Sequence, residues 1–380
     1  MIKLKPYYER DDGKQMLSDY LNMVADVVPF FREDVLDSLS AGTLGKPRPR
    51  AKAYQAFLSA QCPWLRDGKD EDGRKRVDAQ LAEHLIAEYS DGLHDYLYEG
   101  CSGDGHVNRG HLRKLLTLQL VDDGVPGQIP KTMVFPSKGD GSLILSHVFR
   151  YEAFSQHPDL YGFVKRIGAE VCPYCNRLFT ATVTAKKHRT RPQLDHFKNK
   201  HAYPYLALSI NNLVPSCGVC NLLKHDDNSE LVYPYGEGIG DTYKFKTTIP
   251  DQRITEVLTG ARIAPDMFEL QLFSNLPDPA DPKAQRVQAS IDQLALKPLY
   301  DSHKQYVSDL YFQRYILTDE LIHDLWIQFS GSKLFTSEEE IRAALLSTYI
   351  QQERWGERPL SKLTHDIHKE IEELYAEIDK

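Results

Sequence analysis

Two Cys-x2-Cys pairs, Cys172–Cys175 and Cys217–Cys220, bracket a stretch of 41 residues that contains Leu194-Asp195-His196-Phe197 and Asn211-Asn212. No other feature constrains the fold of this chain as tightly. A Cys-x2-Cys turn sets two sulfurs on one side of a tight knuckle, and two facing knuckles supply the four thiolates of a closed tetrahedral zinc site. A redox Cys-x2-Cys or unrelated buried thiols are the alternatives, and the presence of two pairs favours zinc. The intervening stretch is too long for a simple zinc ribbon. It therefore reads as an insert whose two ends the metal ties together. Cys62 and Cys101 stand alone in the sequence and read as incidental thiols or small buried side chains.

Knuckle spacing instead of a disulfide framework implies a reducing compartment. The first residues, Met1-Ile-Lys-Leu-Lys-Pro-Tyr, lack the apolar core of a signal peptide, and no run of 18 apolar residues occurs. The expected location is the cytoplasm, with no membrane partner. A net charge of −8 argues against a nucleic-acid ligand until it is divided. Residues 161–228 carry ten Lys/Arg and four Asp/Glu, a local +6, which leaves −14 on the remainder. The positive charge is focused where a polyphosphate backbone would lie. The acidic remainder discourages indiscriminate coating of DNA and offers a surface to a protein partner.

The 380 residues allow two or three domains. Residues 1–150 read as mainly helical, with three- and four-residue apolar spacing from Gln15 to Leu39 and from Val77 to Tyr98. Between them Gly45-Lys-Pro-Arg-Pro-Arg-Ala-Lys52 is a basic, proline-broken loop, and Val121 to Pro130 is rich in turn residues. Residues 151–274 hold the motif. Asn275 to Pro282 reads as a linker, and residues 283–380 are again helical. There, Ser337-Glu-Glu-Glu340 resembles a capping box, and Leu363 to Ile378 alternates charge with apolar positions. These flanking helices suit packing or dimerisation.

Within the motif, Arg177 to Thr184 is rich in β-branched and aromatic residues and predicts a strand. Lys186, Lys187, Arg189 and Arg191 fall in the turn, and Gln193 to Phe197 predicts the returning strand, with Asp195 and His196 on opposite faces. Asn221 to His225 suits the first turns of a helix. Hydrolysis of a phosphodiester needs a base for water and a cation on the scissile phosphate. His196 suits the base. Asp195 and Asn221 offer hard oxygen ligands for Mg2+ or Mn2+. Asn212 is expected to orient the base or brace the loop. Lys186, Lys187, Arg189, Arg191, Lys224 and His225 are the candidate nucleic-acid contacts, with Lys224 reaching phosphate from the helix face.

Asp195-His196, Asn212-Leu213 and Cys217-x2-Cys220-Asn221-x2-Lys224 resemble, in order and spacing, the HNH endonuclease superfamily and its ββα-metal core. The resemblance covers residues 170 to 235, with an asparagine, Asn221, at the third signature position. Tyr203-Pro-Tyr-Leu-Ala-Leu-Ser209 is similar to a bacterial subgroup that includes HNH proteins of anti-phage systems such as Septu. The implied fold is α+β, a ββα-metal core with a four-cysteine zinc site between helical flanks. The implied activity is metal-dependent cleavage of DNA within anti-phage defence. No Gly-x4-Gly-Lys-Ser/Thr motif is present, so an ATP-driven step would need a separate ATPase partner. Two other readings stay open: an RNA endonuclease acting on substrates such as tRNA, and an inactive, zinc-stabilised nucleic-acid-binding module.

Overall fold

Apolar residues at helical spacing define the N-terminal layer. The computed structural model describes residues 2–28, 79–101, 107–139, 141–185, 188–225, 230–238, 240–332 and 334–378. The predicted helical residues 29–39, the basic loop at 45–52, Cys62, Lys186 and Lys187 lie outside the described residues. Helix α1 (Gly13–Ala25) buries Met16, Tyr20, Met23 and Val24, one stripe of its surface. Helices α2 (Ala79–Tyr89), α3 (Asp91–Tyr98) and α4 (Arg109–Leu116) follow. The side chain of Asn108 caps α4 by accepting from the amides of Gly110 and His111. The turn-rich stretch forms a hairpin of β1 (Val121–Asp122) and β2 (Val125–Pro126).

Helices α5 (Gly141–Phe149), α6 (Tyr151–Phe154) and α7 (Leu160–Ile167) then lead to the first knuckle. α7 buries Leu160, Phe163, Val164 and Ile167 and stops at Gly168, whose φ of 69° takes the left-handed cap. Arg10 donates to the exposed carbonyls of Arg166 and Ile167 at that helix end. Tyr20 of α1 packs against Phe154 and Phe163 and donates to the carbonyl of Leu208 at 2.8 Å, so the N-terminal layer is tied to the motif.

The strand pairing in the motif corrects the sequence expectation. Strands β3 (Val183–Thr184) and β4 (Arg189–Thr190) form only a short hairpin. Strand β5 (Gln193–His196) pairs antiparallel with β6 (Leu213–Ser216), with Asp195 opposite Val214 and His196 opposite Leu213. The second strand of the core is therefore the Leu-Val-Pro-Ser run that follows Asn212. Residues 177–180 instead fold back on the approach to the knuckle. Cys172 N–H donates to Leu178 O, Thr180 N–H to Glu170 O, and Val171 bridges Phe179. Closing the knuckle uses up the backbone groups that a longer hairpin would need.

Helix α8 (Gly218–Lys224) completes a β5–β6–α8 unit. Beyond it, β7 (Tyr243–Thr248) pairs with β8 (Glu269–Ser274), separated by α9 (Asp251–Leu258). The C-terminal helices are α10 (Pro282–Gln293), α11 (Leu296–Asp301), α12 (Lys304–Ile316), α13 (Asp319–Phe329), α14 (Glu338–Leu346) and α15 (Ser361–Ile378). The Asn275–Pro282 stretch ends in Asp281, which caps α10 by accepting from Lys283 N–H at 2.6 Å. Ser337 caps α14 as the sequence predicts, accepting from Glu340 N–H.

Two carboxylates of α15 cover the free edge of β7. Asp366 accepts from Phe245 N–H at 3.0 Å, and Glu370 from Thr247 N–H at 3.0 and 3.1 Å. One helical turn and one strand repeat are both about 6 Å, so residues four apart on α15 meet residues two apart on β7. An uncovered edge would otherwise invite pairing with another chain. One apolar core runs from Leu4 through Leu194 and Phe197 to Ile371, continuous across the motif and both flanks.

Candidate active site and zinc centre

The four sulfurs of Cys172, Cys175, Cys217 and Cys220 all lie within 4.8 Å of one another, and all four residues are buried. Cys175 Sγ and Cys217 Sγ are 3.9 Å apart. Tetrahedral zinc with Zn–S bonds of about 2.3 Å requires sulfur separations of about 3.8 Å. Backbone amides aim at the sulfurs: Cys217 N–H at Cys172 Sγ (3.3 Å), Arg177 N–H at Cys175 Sγ (3.4 Å) and Cys220 N–H at Cys217 Sγ (3.4 Å). These donors stabilise thiolates, and Cys217 doubles as the N-cap of α8. Hydrogen bonds among the four thiols hold Cys217 and Cys175 below the usual thiol range and Cys220 above it, and burial raises Cys172. The cluster fits a structural zinc ion.

The first knuckle is also the hub of the C-terminal flank. Asn176 adopts a φ of 51° and is fully buried. Its Nδ2 donates to Trp355 O at 2.7 Å, and its Oδ1 and backbone oxygen accept from Lys362 N–H and Leu360 N–H. Tyr300 donates to Cys175 O, and Arg177 Nε donates to His303 Nε2 at 3.0 Å.

The alternation of β5 sends its two chemical residues in different directions. Asp195 points inward and is 4% exposed. Its Oδ2 accepts from the Tyr174 hydroxyl at 2.5 Å, and Lys224 Nζ lies 3.3 Å from each of its oxygens. Burial raises the Asp195 pKa, with Lys224 and Tyr174 opposing. Lys224 corrects the sequence expectation. It is 1% exposed, donates to His196 O at 2.7 Å, and presents no surface to a phosphate backbone. A buried ammonium needs a carboxylate, and Asp195 is the one beside it.

His196 is half-buried on the other face. Its Nε2 lies 3.0 Å from Ala207 O and its ring meets Tyr151 edge-on at 4.3 Å. A carbonyl only accepts, so Nε2 carries the proton, and in the neutral ring Nδ1 keeps its lone pair. Burial, with Lys200 as the next cause, pushes the His196 pKa down to about 3. The ring is neutral at physiological pH. Lys200 lies over the face of the same Tyr151 ring at 4.9 Å and pairs with Glu152 at 2.8 Å.

Asn212 is fully buried and its amide is spent on the loop. Its Oδ1 accepts from Lys198 N–H at 2.6 Å, and Nδ2 donates to Lys198 O and Leu206 O, both at 3.0 Å. Leu206 precedes Ala207, so this amide fixes the carbonyl that orients His196. Asn221 sits on the first turn of α8, half-exposed, with Nδ2 donating to Gln193 Oε1 at 2.7 Å. Gln193 lies two residues before Asp195 on β5. Asn221 and Lys224 therefore meet β5 in successive steps, one at Gln193 and the other at Asp195. The oxygen donors Asp195 and Asn221 are of the type that suits a hard divalent cation.

Of the remaining predicted contacts, Arg189 is exposed and lines an open groove together with Asp19, Asp26 and Asp159. Arg191 is half-buried and donates to Pro192 O and Ser155 O. His225 is exposed just beyond α8, with a φ of 46°. Sequence reasoning missed Tyr174, Tyr151 and Lys200. Tyr174 lies inside the first knuckle, and that position was a signal within reach. Tyr151 is 45 positions before His196 in the chain and left no local trace.

A family model described as HNH endonuclease matches residues 172–227. With the β5–β6–α8 order and the clustered sulfurs, those residues form an HNH domain set between helical flanks, and such a domain points to a nuclease. No curated protein and no solved structure matches the chain. No described helix is long and apolar enough to cross a membrane.

Proposed function

We propose that the chain is a metal-dependent endonuclease that hydrolyses phosphodiester bonds in DNA. The observation that carries this reading is His196. Within an HNH domain, its Nε2–H is committed to Ala207 O and its neutral Nδ1 is left as a base. His196 takes the proton of the attacking water. Asn212 holds the loop that keeps the imidazole in this tautomer, and Tyr151 supports the ring from the side. Asp195 and Asn221 would hold Mg2+ or Mn2+, which when bound polarises the scissile phosphate and stabilises the leaving oxygen. Arg189 and Arg191 supply positive charge around the site for the substrate backbone.

The resemblance to anti-phage HNH proteins makes defence the proposed role, with a separate ATPase as the proposed partner and the cytoplasm as the location. The test is cleavage of plasmid DNA and of total tRNA with EDTA, Mg2+ or Mn2+, using wild type and His196→Ala. Metal-dependent DNA nicking that falls by about 10²–10⁴-fold in the variant is expected. Cleavage of tRNA alone would move the substrate to RNA. DNA nicking that persists in His196→Ala would remove the proposed base.

A further inference from the structure

Both donors that occupy the Asp195 carboxylate are carried by the zinc knuckles. Tyr174 lies between Cys172 and Cys175, fully buried, with its hydroxyl 2.5 Å from Oδ2. Lys224 lies on α8 four residues after Cys220, on the same inward face. Its ammonium and the Asp195 carboxylate are 2% and 5% exposed. That ammonium is anchored independently by His196 O at 2.7 Å, so it does not depend on Asp195 for its place. Gln293 of α10 donates to the carbonyls of Leu223 and Lys224 and holds the end of the helix down.

The consequence lies in the charge. Asp195 is paired with Lys224 and Glu152 with Lys200, so each of these carboxylates already has its cation. Among the described residues, a divalent cation entering this site meets no surplus negative charge and lies close to a fixed ammonium. A phosphodiester brings the missing anion. We infer that the four-cysteine centre, by holding Lys224 and Tyr174 on Asp195, makes divalent-cation binding conditional on phosphate. The HNH site thus takes its cation together with the nucleic-acid backbone and not before it. This inference rests on the reading of Asp195 as a cation ligand given above.

The test measures Mn2+ binding to the zinc-loaded full chain at pH 8 by electron paramagnetic resonance, with and without thymidine 3′,5′-bisphosphate. Asp195→Asn defines the binding that belongs to this site. In wild type the bisphosphate should raise Mn2+ affinity at least tenfold. Lys224→Met should bind Mn2+ alone at least tenfold more tightly than wild type, and the bisphosphate should then add little. Zinc content and circular dichroism report whether the variant folds. If Lys224→Met does not fold, Lys224→Gln removes the charge while keeping a donor for His196 O, and the same gain is expected. Wild-type affinity unmoved by the bisphosphate, or a folded Lys224 variant no tighter than wild type, overturns the inference and leaves the nuclease reading standing. Absence of Asp195-dependent Mn2+ binding under every condition overturns both.

Discussion

Among the described residues two lysine–aspartate pairs are buried, one in the HNH domain and one in the C-terminal flank, and they are built differently. Lys362 and Asp366 lie four residues apart on α15, 1% and 3% exposed, with Nζ to Oδ1 at 2.6 Å. Asp241 adds a second carboxylate at 3.1 Å, and the rings of Trp355 and Tyr243 enclose the ammonium. Asp241, His365 and Asp366 together have the geometry of a cation site, but Lys362 already stands between its carboxylates. The other oxygen of Asp366 holds the edge of β7. Both oxygens of Asp366 are thus spent on the fold. The Lys224–Asp195 pair is longer, at 3.3 Å, joins a helix to a strand, has one carboxylate, and sits beside His196. A lysine enclosed by two carboxylates and two rings is architecture. The looser Lys224–Asp195 pair lies in the proposed active site.

The largest effect should come from the zinc centre, which anchors one pair directly and the other through Asn176. A structural zinc ion contributes on the order of 10–16 kcal/mol in small zinc domains. Cys217→Ser should therefore lose bound zinc and the cooperative thermal transition of the HNH domain, read by metal analysis and calorimetry. Full zinc content with an unchanged transition would dissolve the link between the two pairs.

Next come the pairs themselves, compared by urea denaturation. Lys362→Met leaves two carboxylates beside an empty place and should cost about 3–5 kcal/mol. Lys224→Met leaves one carboxylate that still has Tyr174 as donor, and should cost on the order of 2 kcal/mol. Equal or reversed costs would break the comparison.

The smallest effect concerns pH. Burial raises Glu370, the companion of Asp366 on the β7 edge, to about 7 from the usual 4.5. Because the folded pKa is the higher one, its contribution is fully present below about pH 4.5 and is lost as pH rises through 7. Glu370 is half-buried, so solvent screening limits the change to on the order of 1 kcal/mol. Glu370→Gln should flatten this part of the stability–pH curve. A slope that survives the substitution would place its origin elsewhere.

The sequence showed the parts of this site that depend on spacing. Cys-x2-Cys repeats announce their metal, and the two-residue period of a strand separates Asp195 from His196. The second strand was misplaced because the β-branched run after Cys175 satisfies strand propensity while its backbone closes the knuckle. Propensity states what a segment tolerates, and tertiary pairing decides what it does. Lys224 was misread by the ordinary rule that lysines face water. Its spacing of four from the buried Cys220 was the contrary signal. Tyr151 and Lys200 meet only through packing, which no local pattern encodes.

The buried amide of Asn176 has a consequence for how the protein is made. Its partners, Trp355, Leu360 and Lys362, are about 180 positions further along the chain. They leave the ribosome long after both knuckles. A chain that stops before Trp355 leaves the amide of Asn176 without these partners at the root of the first knuckle, and leaves β7 without its covering carboxylates. The HNH domain thus gains these contacts only after residues 355–370 have been made.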